Sequence, residues 1–129
     1  MGNKLKRDPI KYIRDRAKAA YEKADECYIC VGTERLDFHH FYTLTPLFNK
    51  WCRDNKIIIN TEDDVLSIRD RFIAEHKSEL YEHAVTLCHD HHLKLHSIYG
   101  KDPSLATALK QMNWVKIQRE KNELPILHG

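Results

Sequence analysis

Residues 88–96 read CHDHHLKLH, and residues 39–40 read HH. Six histidines thus fall into two short places, and one cysteine opens the second of them. If residues 88–100, CHDHHLKLHSIYG, run as a helix to Gly100, His92 and His96 are four apart and share a face. His91 is turned about 100° from His92. Two histidines on one helical face can grip one ion, and the third points toward a different one. Two ligands hold a metal poorly, so a third donor is required, and the adjacent histidines of FHH, residues 38–40, are the obvious source. Two exposed histidines with no ligand role are the alternative, and the second pair at a strand end weighs against it.

The ion on the His91 side has its own partners. CYIC places Cys27 and Cys30 at the spacing that lets two thiolates hold one zinc ion while backbone amides turn around them. Cys88 and His91 in CHDH supply a second pair at similar spacing, giving a closed Cys₃His set of the structural zinc type. A set with Cys52 in place of His91 competes. Cys52, however, follows LFNKW on an apolar helical face, where a lone cysteine packs as a small hydrophobe. Four cysteines could also form two disulfides, but the charged N-terminus MGNKLKRDPIKYIRDRAK has no apolar signal core, so a reducing, cytoplasmic setting is expected.

The 129 residues, 42% hydrophobic and 31% charged, suit one compact soluble domain over 1–129. No run of eighteen apolar residues is present, so no membrane partner is expected. The net charge of +2 is too small to announce a nucleic-acid partner, but its distribution is uneven. Lys4, Lys6, Arg7, Lys11, Arg14, Arg16, Lys18 and Lys23 outnumber Asp8, Asp15 and Glu22 in the first 24 residues. Over residues 61–82 seven carboxylates face only Arg69, Arg71 and Lys77. The N-terminal end could lie along phosphates; the middle could not.

Periodicity predicts mostly helix around a small β-hairpin, an α+β fold. Residues 8–25 begin with Asp8 as cap and Pro9 at the first helical position, and carry apolar residues at 10, 13, 17, 20, 21 and 24. Thr45 with Pro46, and Thr61 three residues before Asp64, open two more helices. RLDFH and AVTLC read as strands. Asp102 and Pro103 start a last helix with an apolar stripe at 105, 108, 109, 112 and 115.

A CxxC knuckle, then LDFHH at a strand end, then a return strand into LCHDHHLKLH resembles the HNH endonucleases of ββα-metal fold, including colicin nuclease domains and many phage-encoded enzymes. The resemblance covers residues 27–100 and leaves 1–26 and 101–129 as flanking helices. It implies a metal-dependent DNA endonuclease, with His39 and the pair His92 and His96 holding the catalytic divalent ion (Mg²⁺, Mn²⁺, Ni²⁺ or Zn²⁺) and His40 as general base. It further implies a separate structural Zn²⁺ at the knuckle. The helix and strand ends would press on the DNA backbone, where Lys94 and Lys101 would meet phosphates. Other phage or host proteins are possible further partners by the same implication. Where the family places an asparagine that pins the loop between the strands, this chain has His83, which cannot make the full amide set of hydrogen bonds.

The chemistry fits those residue types. Phosphodiester hydrolysis needs a deprotonated water, which a neutral histidine can supply, and positive charge beside the leaving 3′ oxygen. The competing function is a zinc-stabilised nucleic-acid- or protein-binding module without catalysis. Such a module has no use for a spare histidine beside a metal ligand. His76 and His128 read as ordinary surface residues, and His89 as a solvated neighbour of the zinc ligands.

Overall fold

The structure is a computed structural model and describes residues 4–128. It is an α+β fold. Strand β1 (Leu36–His40) pairs antiparallel with β2 (Ala84–Cys88), Leu36 opposite Cys88 and His40 opposite Ala84. The connection between the strands is long and holds helices α2 (Leu44–Asp54) and α3 (Glu62–Glu75) and a π-helical turn (Ser78–Glu82). Helix α4 (His89–Tyr99) leaves β2 without a linker, and α5 (Ala108–His128) closes the described chain. Helix α1 (Pro9–Lys18) precedes the knuckle. Among the described residues no helix is long and apolar enough to cross a membrane.

The local chemistry explains most boundaries and corrects several. Pro9 opens α1 as expected, but the helix stops at Lys18, short of residue 25. The next segment is drawn to the sheet instead: the Ala24 N–H donates to Thr86 Oγ1 at 2.9 Å, and Tyr21 stacks on Phe38 with ring centroids 4.4 Å apart. Helix α2 starts after Thr43, not at Thr45; the Thr43 hydroxyl makes no capping bond to the helix and donates instead to the Pro103 carbonyl. At α3 the capping box is present. Thr61 Oγ1 accepts from Asp64 N at 3.2 Å, and Asp64 Oδ2 accepts from Thr61 N at 3.0 Å. The last helix begins at Ala108 after a short 3₁₀ turn (Leu105–Thr107), later than Asp102 and Pro103 suggested. Its buried stripe differs too. Ala108 and Val115 are buried, but Leu109 is 71% exposed and Gln111 is fully buried in its stead.

Two apolar clusters hold these elements. One gathers Ile13, Leu44, Phe48, Trp51, Val65, Phe72 and Leu80, joining α1, α2, α3 and the π-helical turn. Phe72 has no exposed surface, and burying such a side chain contributes about 1.5–3 kcal/mol. Cys52 lies against this cluster as the small hydrophobe its helical face implied. The other cluster gathers Cys27, Ile29, Phe41, Leu87, Leu95, Ala108 and Val115, and so packs the knuckle, hairpin, α4 and α5 together. Tyr42, just past β1, touches both.

Candidate active site and metal centres

The strand alternation distributes the chemistry. Asp37 and His39 project from β1 toward α4, whereas Phe38 and His40 project to the other face, against Tyr21. Because α4 follows β2 directly, Cys88 ends the strand and His91 sits in the first helical turn, with His92 and His96 one turn apart beyond it.

Cys27, Cys30, Cys88 and His91 come together, their ligand atoms all within 4.8 Å of one another. Cys30 Sγ lies 3.9 Å from Cys88 Sγ, and His91 Nδ1 lies 3.2 Å from Cys88 Sγ and 3.9 Å from Cys27 Sγ. Sulfurs at Zn–S distances around a tetrahedral ion stand about 3.8 Å apart, so the set could hold zinc without rearrangement. The knuckle turn is built for it. Cys27 N–H donates to Gly32 O at 2.8 Å, and Ile29 N–H points at Cys27 Sγ at 3.4 Å. Burial opposes ionisation of Cys27, but the neighbouring backbone amides of Cys88, Cys30 and Ile29 outweigh it and leave the thiol below its ordinary value. Cys88, pushed up by burial and by its neighbour's charge, moves the other way.

His39, His92 and His96 form the second set. His39 Nδ1 lies 3.2 Å from His92 Nε2, which lies 3.0 Å from His96 Nε2. Each ring's other nitrogen is claimed by an oxygen that can only accept. His39 Nε2 donates to Gln111 Oε1 at 2.8 Å, His92 Nδ1 to Asp37 Oδ2 at 3.0 Å, and His96 Nδ1 to Gly100 O at 2.8 Å. The Gln111 amide orientation follows from its NH₂, which donates to Thr107 Oγ1 at 2.9 Å and Phe41 O at 3.3 Å. Gly100, at φ +91°, turns the chain so that its carbonyl reaches back to His96. With the protons held on the outer nitrogens, three lone pairs converge on one point. That arrangement is repulsive without a cation and is what a divalent ion coordinated by neutral imidazoles requires. Burial pushes His39 down to about 3, with the Gln111 hydrogen bond opposing, and holds His92 below its ordinary value, so both stay neutral near pH 7.

His40 lies apart from this set, among aromatic rings. Its ring packs edge-on to Tyr21 at 4.8 Å and Phe38 at 5.3 Å. Burial pushes it down to about 4, the Leu80 backbone opposing and the Arg14 charge adding to it. Its Nε2 is buried without a hydrogen-bond partner among the described residues. His40 nevertheless lines one small cavity of about 170 Å³ with His39, His92 and His96, together with Arg14, Thr43 and Lys101. Beside it runs a groove of about 910 Å³ between the segment after α1 and α4, sharing Phe38, His92, His96 and Lys101 and adding Lys18, Tyr21, Lys23 and Leu93.

The structure separates the two lysines named from sequence. Lys101 lines both hollows; Lys94, two positions from His92 and from His96, lies on the opposite side of α4 and lines neither. His83 acts through its backbone, its carbonyl accepting from Phe41 N–H at 3.2 Å and its N–H donating to Ser78 O at 2.8 Å. His76 is not an ordinary surface residue: its ring stacks on Phe72 at 4.3 Å and Nδ1 donates to the Phe72 carbonyl at 2.8 Å. His89 is not merely solvated, since Nδ1 meets Asp37 Oδ2 at 3.2 Å. The side chain of His128 falls outside the described residues.

Asp37 and Gln111 are the residues that sequence reasoning missed. Asp37 carries a signal, a carboxylate two residues before His39 on the same strand face. Gln111 carries none, being a lone amide 72 positions from its partner.

Over residues 1–124 the chain matches the family model of the phage T5 nicking endonucleases. The chain belongs to the nicking endonuclease family. It is thus a phage-type endonuclease, and a nicking endonuclease acts on DNA. No solved structure matches it. The family match takes in α1 and most of α5 as well as the histidine-bearing centre, in keeping with Arg14 and Gln111, from those two helices, reaching the site.

The Gln111 contact yields a direct expectation. Gln111→Leu removes the acceptor that holds the His39 proton on Nε2, so affinity for a divalent ion at the histidine set should fall about 10–100-fold. Zinc at the cysteine set should be unchanged. Titration with Mn²⁺ or Ni²⁺ followed calorimetrically checks this, and equal affinity in variant and wild type would refute it.

Proposed function

We propose that the protein is an HNH-type nicking endonuclease that hydrolyses one phosphodiester bond of duplex DNA, with His40 as general base and His39, His92 and His96 as the holders of a catalytic divalent ion. The observation that carries this reading is the convergence of one ring nitrogen each from His39, His92 and His96, the other nitrogen of each ring facing a separate acceptor, in a cavity that His40 also lines. Residues 27–100 supply the four histidines of this centre within a single domain, Arg14, Lys101 and Gln111 completing it from the flanks, and Cys27, Cys30, Cys88 and His91 hold a structural zinc.

His40 is neutral at pH 7 and its Nε2 has no hydrogen-bond partner among the described residues, so it can take a proton from a water brought in line with the phosphorus. As the water oxygen bonds to phosphorus, the P–O3′ bond breaks and the 3′ oxygen leaves. A divalent ion, when bound, supplies positive charge to the nonbridging and leaving oxygens. Asp37, Gln111 and the Gly100 carbonyl hold the imidazoles in the required tautomers. Lys101 meets phosphate from the rim of both hollows; the position of Lys94 favours Lys18 and Lys23 over it for the flanking contacts. A purely binding module is not favoured, because the chain belongs to an endonuclease family.

Supercoiled plasmid incubated with the protein and Mg²⁺, Mn²⁺ or Ni²⁺ should pass to the open-circular form without linear product at early times, and excess chelator should stop it. Nicking that persists after complete metal removal would overturn the metal-dependent mechanism.

A further inference from the structure

Arg14 is the one strongly charged side chain that α1 contributes to the histidine cavity. Its surroundings are unusual for an arginine of this chain. Arg7, Arg16, Arg69, Arg71 and Arg119 each face a carboxylate at 2.7–3.4 Å, and Arg35 and Arg53, which have no such pair among the described residues, are exposed to solvent. Arg14 is half-buried and has neither an ion pair nor a hydrogen-bond acceptor among the described residues. Its charge is felt at His40 and Tyr21, and also at its exposed neighbour Asp15, whose carboxylate pairs with Arg7 instead; the other polar walls of the cavity are imidazoles, a threonine hydroxyl and Lys101. A partly desolvated guanidinium without an anion is costly, and it is sustained where an anionic ligand completes it.

We propose that Arg14 is a catalytic residue that binds the nonbridging oxygens of the phosphate being cut, in the cavity it lines together with His39, His40, His92 and His96. This rests on the reading of His40 and the three histidines as the hydrolytic centre, and it deepens that reading by assigning the phosphate clamp to the N-terminal helix. Guanidinium suits the role. Its planar fork pairs two phosphate oxygens at once, and the negative charge on those oxygens grows toward the transition state. Tyr21 and Phe38 wall the site beside His40, so phosphate drawn in by Arg14 lies next to the base. The groove running away from the cavity past Lys18, Lys23 and Lys101 accepts the continuing strand.

The test compares Arg14→Gln and Arg14→Lys with wild type, using plasmid nicking at saturating DNA, zinc content, melting temperature, and the salt dependence of DNA binding in a His40→Ala background that does not cut. Arg14→Gln should lower kcat about 10²–10³-fold, the usual worth of one donor to a developing oxyanion. It should also reduce the slope of log K against log salt by about 0.9, one phosphate contact. Arg14→Lys should recover part of the rate, keeping the charge without the fork. Zinc content and melting temperature should match wild type in both variants. Wild-type kcat in Arg14→Gln, an unchanged salt slope, or a rate loss accompanied by equal loss of folded protein would each overturn the assignment. Failure of the underlying reading has a different signature: wild-type nicking that a chelator does not stop.

Discussion

His40→Ala should retain zinc, retain the ion at the histidine set and still bind DNA, while nicking slows by on the order of 10²–10⁴, the worth of a positioned proton transfer. The base acts on the transition state and not on ground-state affinity, so kcat falls and the dissociation constant for DNA does not. The geometry gives this prediction its contrast. His40 leaves β1 on the opposite face from His39 and touches none of the three converging nitrogens, so removing it leaves the metal-holding set intact. His39→Ala should also abolish nicking, but by loss of the ion. Its activity should therefore recover in part as metal is raised, where that of His40→Ala does not. Normal nicking by His40→Ala, or loss of the ion from His40→Ala with retention in His39→Ala, would reverse the two roles.

The same residue sets a pH dependence. Its folded value, about 4, is below the ordinary 6.5 because of burial first, with the Leu80 backbone opposing. Between those two values the unfolded chain binds a proton that the folded chain does not. Stability therefore rises with pH across that window and is lost as pH falls from about 6.5 toward about 4, by about 3 kcal/mol at roughly 1.4 kcal/mol per unit. Activity should follow the same sign. The neutral imidazole remains a competent base below pH 6.5, and nicking declines only as the pH approaches the folded value or the protein unfolds. In His40→Ala the melting temperature should depend less on pH over that range. An acid limb of kcat/KM centred at or above pH 6.5 would contradict this.

The two histidine places were legible because metal chemistry leaves short-range marks. CxxC, CxxH and HxxxH are spacings that one turn of backbone around an ion or one turn of helix would dictate, and the structure brings their residues together in two groups, the second completed by His39 from the FHH pair. The capping box at Thr61 and Asp64 and the start of α1 at Pro9 are local in the same way. What was not legible depends on distant partners. Helix α1 ends at Lys18, and the segment after it is held to the sheet by Thr86, 62 residues on from the Ala24 amide it accepts from. The stripe of α5 turns from Leu109 to Gln111 because a buried imidazole needs an acceptor there. Lys94 and Lys101 looked equivalent in sequence, but helical phase puts the first on the far side of α4 from the groove.

Cys27→Ser or Cys88→Ser should yield unfolded or insoluble chain, and stripping zinc from the wild type should lower its melting temperature by about 10 °C or more. The reason lies in what the knuckle supports. Cys27 and Ile29 are themselves members of the buried cluster that joins the hairpin, α4 and α5, and Tyr28 N–H donates to Thr86 O at 2.9 Å, tying the knuckle to β2. Without an ion, three cysteines and an imidazole are crowded within 4.8 Å, with the Cys27 thiol, against the opposition of burial, lowered by neighbouring backbone amides toward a thiolate that has no cation beside it. Structural zinc binding contributes on the order of 10–16 kcal/mol in small domains, comparable with the whole stability of a chain this size, about 5–15 kcal/mol. Cys52→Ser is the control. That thiol lies against the other apolar cluster, beside Phe48 and Ile57, so its loss should leave zinc content unchanged and cost at most a modest fall in melting temperature. Loss of zinc from the cysteine set should also disturb the histidine set, because His91 and His92 are adjacent on α4 and Cys88 is the residue on which that helix starts. Zinc content by atomic absorption and thermal melts with and without chelator read all of this. Folded Cys27→Ser and Cys88→Ser of wild-type melting temperature would show that the set is not a folding centre, and loss of zinc from Cys52→Ser alone would transfer the ligand role to Cys52.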